Sequence, residues 1–269
     1  MKHRLILVLA CMLLLTGCGP AASAEPQQYG VFIGTDRSLS EFKGYDTIVI
    51  DAQYYTAEQI KDFKGDSRKV YSYINVGSVE DFRDYYADYE DLTLGDYEHW
   101  AGEKWVDVSS EKWQDFVLNE LAPSLTAKGI DGFFVDNCDV YYVYPNPEIL
   151  NGLSTIMRGL KSIGGEVIIN GGDAFLDAYT AETGRPLDVV TGINQESVFT
   201  AIDWNHDEFT EAKAEDEEYF KDYIERYSEY GVRIYLLEYT RDASLAVRIK
   251  KYCDEHGFLC YISDSLELD

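Results

Sequence analysis

Apolar residues along this chain fall into two alternating rhythms. Short runs rich in β-branched and aromatic residues occur at Tyr29–Gly34, Thr47–Asp51, Val70–Val76, Gly132–Asp136, Glu166–Asn170, Val189–Asn194, Arg233–Glu238 and Phe258–Ser263. Several are apolar nearly throughout, as strands covered on both faces are. Between them, apolar positions recur at helical spacing: Trp113, Phe116, Val117, Leu121 and Leu125, then Ile149, Leu153, Ile156, Leu160 and Ile163. Boundary chemistry agrees. Thr56 with Gln59 makes a capping-box pair, and Asn146-Pro147 supplies a cap followed by proline. Gly129, Gly164, Gly231 and Gly257 each stand where a helix should give way to a strand. Eight strands alternating with helices predict an α/β fold, a (β/α)8 TIM barrel, as a single domain over residues 29–269. A doubly wound open sheet is the main rival, but no Gly-x-Gly-x-x-Gly turn follows an early strand.

The first residues follow neither rhythm. A basic start, Met-Lys-His-Arg, precedes an apolar run from Leu5 to Leu15 and then Leu15-Thr16-Gly17-Cys18. This is the layout of an export signal, and the run is too short to cross a hydrocarbon layer of about 30 Å. The cysteine at the cut resembles the lipobox of bacterial lipoproteins. That resemblance implies a signal peptide over residues 1–17, acyl chains on Cys18, a polar tether over 18–28, and a lipid-anchored protein at the outer face of a bacterial cell membrane. Cys11 leaves with the signal, so Cys138, Cys253 and Cys260 remain, and their odd number leaves at least one thiol. Cys253 and Cys260 flank a helix-to-strand turn and could pair in an oxidising compartment, with two buried thiols the favoured reading.

Charge narrows the partners. The chain carries −26, and losing Lys2 and Arg4 with the signal leaves −28. Such a field repels nucleic acid and anionic headgroups and attracts a polycation. Twenty-two tyrosines accompany the acids. Aromatic faces beside carboxylates suit ligands with apolar ring faces and polar or cationic edges, amino sugars among them. Two long connections leave C-terminal strand ends, where barrel active sites lie. Ser78–Trp105 carries Tyr85, Tyr86, Tyr89, Tyr97, Trp100 and Trp105; Ser197–Asp216 carries Phe199, Trp204, His206 and Phe209.

Polar residues close the strands at that same end: Asp51, Asn75, Asp136 with Asn137 and Asp139, Asn170 with Asp173, Asn194 with Gln195 and Glu196, and Glu238. One such residue is an ordinary turn cap. Converging on one mouth, they supply what acid–base chemistry or metal binding needs. No metal is expected: His99, His206 and His256 show no His-x-His or His-Glu-x-x-His spacing, although a hard-cation site of Asp and Glu stays open. No Gly-x-Ser-x-Gly elbow offers a nucleophilic serine, and no cofactor is expected. Two carboxylates acting without a metal fit glycoside hydrolysis.

The blocks Val70-Tyr-Ser-Tyr-Ile-Asn75-Val-Gly77-Ser-Val-Glu80-Asp81-Phe-Arg83, Trp105-Val-Asp107-Val and Gly129-Ile-Asp131-Gly132-Phe-Phe-Val-Asp136-Asn137-Cys-Asp139 resemble glycoside hydrolase family 114. That family comprises endo-α-1,4-polygalactosaminidase-like barrels related to the hydrolase domain of the Pel polysaccharide system. Asn194-Gln195-Glu196-Ser197 and Leu237-Glu238-Tyr239 fall where its later motifs lie, so the resemblance spans residues 29–265. It implies Asp136 as nucleophile and Glu196 as acid/base on an α-linked, galactosamine-rich polysaccharide. Asp51 and Glu238 would line the same mouth and offer charge to an ammonium group. Tyr73, Asn75, Asn137, Asp139, Asn170, Gln195 and Tyr239 complete the expected substrate contacts. Asn170-Gly171-Gly172 departs from the lysine-asparagine-like strand end of many relatives, and Asn75 stands where serine is common. Two other function classes fit the same scaffold: a non-catalytic sugar-binding lipoprotein, and a carboxylate-metal enzyme such as a sugar isomerase. Nothing in the sequence requires more than a monomer.

Overall fold

The computed structural model describes residues 28–65, 67–98, 100–206 and 208–269. The signal, Cys18, the tether up to residue 27 and His99 lie outside the described residues. Eight parallel strands form one sheet in chain order: β1 (Tyr29–Phe32), β2 (Thr47–Ile50), β3 (Lys69–Asn75), β4 (Gly132–Asp136), β5 (Glu166–Asn170), β6 (Gly192–Glu196), β7 (Arg233–Tyr239) and β8 (Leu259–Ser263). The sheet curls until its ends meet. Phe32 of β1 and Tyr261 of β8 place their rings 5.3 Å apart, and Gly34 donates its N–H to Leu268 O at 3.3 Å. The result is a nearly closed (β/α)8 barrel.

Helices at Ala57–Lys64, Pro147–Gly164, Asp173–Thr183, Ala214–Glu229 and Ala243–His256 separate strands; between β3 and β4 the helical stretch Glu111–Phe116 continues as a wide turn at Val117–Leu121 and on to Ala122–Thr126. Their caps are the ones the residues suggest. Thr56 Oγ1 accepts from Gln59 N at 3.2 Å while Thr56 N donates to Gln59 Oε1 at 2.8 Å. Asn146 Oδ1 accepts from Ile149 N at 2.9 Å. Several strand ends shift by one or two residues, and two boundaries differ for a visible reason. The long helix runs through Gly164 and stops at Gly165, whose φ of 80° is left-handed. The sixth strand starts at Gly192 rather than Val189, because Val189 and Val190 follow a short 3-10 turn at Pro186–Asp188 and are buried without joining the ladder.

Alternation along each strand sorts the core into two layers. Val49, Tyr71, Tyr73, Phe134, Ile168, Tyr235, Leu237 and Tyr239 point into the barrel. Ile48, Ile50, Phe133, Val135, Ile169, Ile193 and Leu236 face the helices. The inward set, extended to the C-terminal strand ends, also places Asp51, Asn75, Asp136, Asn170, Asn194 and Glu196 on the barrel's inner side. Register keeps them level: Asn75 pairs with Asp136, Asn170 with Asn194, and Leu237 with Glu196.

The two long connections have structure of their own. Ser78–Glu80, Thr93–Asp96 and Glu103–Val106 form an antiparallel sheet, and Thr200–Asp203 pairs with Glu208–Glu211 as a hairpin. Trp113 anchors the first through its indole N–H, which donates to Val76 O at 2.8 Å. Gly77 then passes so close to the next loop that a Cβ there would lie 1.7 Å from Asn137 O. Cys138, Cys253 and Cys260 are thiols. Gly77→Ala must displace one backbone from the other, so we expect it to cost about 1–3 kcal/mol. Chemical denaturation should show a lower midpoint at unchanged slope; an unchanged midpoint would mean the close approach is not required.

Candidate active site

At the C-terminal end of the barrel lies a cavity of about 950 Å³. Asp136 ends β4 and Glu196 ends β6, and both line it with Asn170, which ends the strand between them. The Asn170 side-chain amide donates to Asp136 Oδ1 at 2.9 Å and to Glu196 Oε1 at 2.7 Å. These two oxygens are therefore no farther apart than the two bonds laid end to end. Asn194 holds Asn170 in turn, donating to its Oδ1 at 2.7 Å, and accepts from Tyr29 Oη at 3.0 Å. On the far side, Tyr239 Oη donates to Glu196 Oε2 at 2.8 Å. Asp136 Oδ2 accepts no hydrogen bond from the described residues.

Each carboxylate is followed by a strained residue. Asn137 has φ 65° and Ser197 has φ 56°, values uncommon outside glycine. A second carboxylate holds each turn. Glu103, from the sheet in the first long connection, accepts on Oε1 from Asn137 Nδ2 at 2.9 Å, Asn75 Nδ2 at 3.1 Å and Ser78 Oγ. Glu238 accepts from Val198 N at 3.0 Å, Phe199 N at 3.1 Å and Thr200 Oγ1 at 2.7 Å, just beyond Ser197. Strain of this kind costs on the order of 1–3 kcal/mol per residue and persists where the surroundings enforce it.

Burial is the main influence on these acids. It pushes Asp136 up to about 8, helped by the negative charge of Glu196 and opposed by the Asn170 amide. Glu196 is also raised by burial, with Asn170 and Tyr239 pulling back. Asp139 is pushed up to about 7 by burial and by Asp173, against the N–H of Gly172. Glu238 reaches about 7 by burial despite its three partners, and burial raises Glu103. The charge of Glu196 thus disfavours ionisation of the neighbouring Asp136.

Of the residues expected from the sequence, Asp136, Glu196, Asp51, Tyr73, Asn137, Asp139, Asn170, Gln195 and Tyr239 all line this one cavity. Two do not. Glu238 is fully buried and its neighbours in β7 explain why: Leu237 and Tyr239 point into the barrel, so Glu238 points outward and spends its oxygens on residues 198–200. Asn75 is 3% exposed, with its amide on Ser78 and Glu103. Asp51 lines the cavity, but Arg83 neutralises it: Arg83 Nη1 reaches Asp51 Oδ2 at 2.6 Å while Nη2 reaches Glu80 Oε1 at 3.0 Å. Sequence reasoning did not single out Glu103, Glu80 or Arg83 as site residues, nor the wall formed by Thr35–Arg37 and Leu266–Asp269. Only the pairing of Glu103 with Glu80 across two strands could have placed Glu103 here, and no local pattern announces that pairing. Trp100 and Trp204, one from each long connection, meet edge-on at 6.4 Å and share the cavity wall. Among the described residues no three His, Cys, Asp or Glu side chains are grouped as a metal site requires.

The model of glycoside-hydrolase family GH114 matches residues 19–265. The solved glycoside hydrolase domain of PelA from Pseudomonas aeruginosa is 17% identical with a TM-score of 0.75, over 91% of this chain and 97% of that one. Aspergillus fumigatus Ega3, solved in complex with galactosamine, is 16% identical with a TM-score of 0.68, over 91% of this chain and 93% of that one. At these identities the likeness to both structures is one of fold. No curated protein matches the chain.

The raised acids make stability depend on pH. Asp136 at about 8, with Asp139 and Glu238 at about 7, bind protons in the native state that the unfolded chain releases near pH 4. The native state is the more protonated one from about pH 4 to 8, so stability falls as pH rises through that window. Glu166 is shifted the other way by Lys69 and Tyr71, but it is partly exposed and weakly felt. Thermal unfolding between about pH 4.5 and 8 should show Tm falling as pH rises, and Glu238→Gln should flatten part of the decline. A Tm that rises with pH would refute this account.

Proposed function

The chain belongs to glycoside-hydrolase family GH114 and is thereby a glycosidase, and from that premise we propose that it cleaves an α-linked, galactosamine-rich polysaccharide with Asp136 and Glu196 as its catalytic pair. One observation carries the pair: the Asn170 amide holds both carboxyls at once, through bonds of 2.9 and 2.7 Å, which supports the close spacing of about 5–5.5 Å of retaining enzymes. An inverting pair stands about 6.5–9.5 Å apart to admit a water.

The hydrogen bonding of the two carboxyls supports Asp136 as nucleophile and Glu196 as acid/base. Asp136 Oδ2 is unengaged by the described residues, whereas Asn170 and Tyr239 occupy one oxygen each of Glu196. Asp136 Oδ2 attacks the anomeric carbon as the glycosidic bond breaks, and Glu196 gives its proton to the departing oxygen. Water then adds to the anomeric carbon, passes a proton to Glu196, and frees Asp136. Burial favours the protonated form of Asp136. A cationic sugar beside Asp136 favours its ionised form and moves the proton to Glu196, which arms both groups.

The cavity suits such a sugar. Its walls carry nine carboxylates against two arginines, and both arginines are paired: Arg83 with Asp51 and Glu80, and Arg37 with Glu41 at 3.7 Å. Tyr54, Tyr73, Tyr97, Trp100 and Trp204 add ring faces for stacking. Galactosamine is the ligand in the Ega3 structure, which supports the same sugar class here. The Leu15-Thr16-Gly17-Cys18 run supports export and lipid attachment at Cys18, and among the described residues no helix is long and apolar enough to cross a membrane.

On a partly deacetylated α-1,4-galactosamine polymer, Asp136→Asn and Glu196→Gln should each lose about 10²–10⁴-fold in rate. Azide should restore turnover to the Glu196 variant with net retention, and give an inverted azide product with a variant lacking the nucleophile. If wild type and variants are equally inert but still bind the polymer, the chain is a sugar-binding lipoprotein instead. Cys18→Ala should move the protein from the membrane fraction to the soluble one; unchanged fractionation would reject the anchor.

A further inference from the structure

The cavity's acids differ in what already satisfies them. Asp51 and Glu80 share Arg83, Asp136 and Glu196 share Asn170, and Asp139 takes the N–H of Gly172 at 3.3 Å. Glu103 is different. Three donors converge on its Oε1: Asn75, Ser78 and Asn137, with the amides at 3.1 and 2.9 Å. Its Oε2 accepts nothing from the described residues, and no cation pairs with Glu103 among them. Ser78 is itself fixed by both amides, at 2.7 Å from Asn75 and 2.8 Å from Asn137. The carboxylate is therefore oriented before any ligand arrives. Asn137, one of its anchors, directly follows Asp136, and all three residues line the same cavity. The Tyr97 ring, stacked on Trp105 at 4.3 Å, lines the same wall.

We propose that Glu103 is a specificity-determining residue, whose Oε2 receives the ammonium group of a deacetylated amino sugar next to the catalytic pair. The inference rests on the reading of the cavity as an amino-sugar site and names the residue that tells amine from acetamide. A preoriented carboxylate facing an ammonium gains a charge-assisted hydrogen bond without paying to order its own side chain. An acetamide offers one neutral N–H and adds bulk, so it gains less from the same oxygen.

The test uses binding, so that it does not depend on turnover. In a Glu196→Gln background, affinities are measured by calorimetry for an α-1,4-galactosamine oligosaccharide and for its fully N-acetylated counterpart. Adding Glu103→Gln, which keeps an acceptor for the three donors, should weaken the deacetylated ligand by about 10–100-fold. It should weaken the acetylated ligand far less and shrink the salt dependence of binding. Equal loss for both ligands would assign Glu103 a structural role, and unchanged preference for the amine would place the ammonium elsewhere; either result overturns the proposal. If the parent binds neither oligosaccharide, the amino-sugar reading itself fails, and this proposal falls with it. Glu103→Asp, which keeps the charge but withdraws it, should recover part of the preference, and no recovery would also count against the ammonium contact.

Discussion

Two buried carboxylates that repel one another are held on a single amide nitrogen, and most of the site is arranged around that fact. Asn170 can bridge Asp136 and Glu196 only because β5 lies between β4 and β6, and because all three residues share the inward phase of their strands. The bridge needs its own support. Asn194 fixes the Asn170 carbonyl oxygen, which decides which end of the amide points at the acids. Each acid then leaves its strand through a left-handed residue, and each of those turns is clamped by a further carboxylate, half-buried Glu103 on one side and buried Glu238 on the other. Crowding of negative charge is the recurring cost, and hydrogen-bond donors rather than cations offset it.

Period-two alternation explains both what the sequence made legible and where it misled. The eight strands are written in apolar runs, and the polar residue ending each run marks the mouth of the barrel. That was enough to bring Asp51, Asp136, Asn170 and Glu196 together. It was too coarse for β7, where Glu238 and Tyr239 are neighbours and only one can face inward. Leu237 and Tyr235 both lie in the barrel core, so the phase belongs to Tyr239. With that phase, the strand end offers a phenol to Glu196 and keeps its carboxylate for the loop behind. Asn75 failed for another reason: its phase is inward, but Ser78 and Glu103 take its amide before a ligand could.

The remaining omissions come from contacts distant in sequence. Glu103 reaches the cavity through antiparallel pairing of Glu103–Val106 with Ser78–Glu80, and the wall at Leu266–Asp269 depends on the chain end folding back over β1. Neither is written in a local rhythm. The acid–aromatic composition of the long connections did announce that they matter, yet composition does not say which carboxylate is left without a partner. Long-range pairing decides that.

The empty cleft carries the electrostatic cost of its own design. Burial and neighbouring negative charge raise Asp136 and Asp139 into the neutral range, so a cation entering the cleft favours their ionised forms. A deacetylated sugar would then do two things in one step. It would supply the counter-charge that the donors only approximate, and it would favour the ionised form of Asp136, the proposed nucleophile. Ionisation coupled in this way to the arrival of an amine makes the charge of the ligand part of the chemistry and not merely of the binding. A neutral sugar of the same shape would bring no such counter-charge to Asp136.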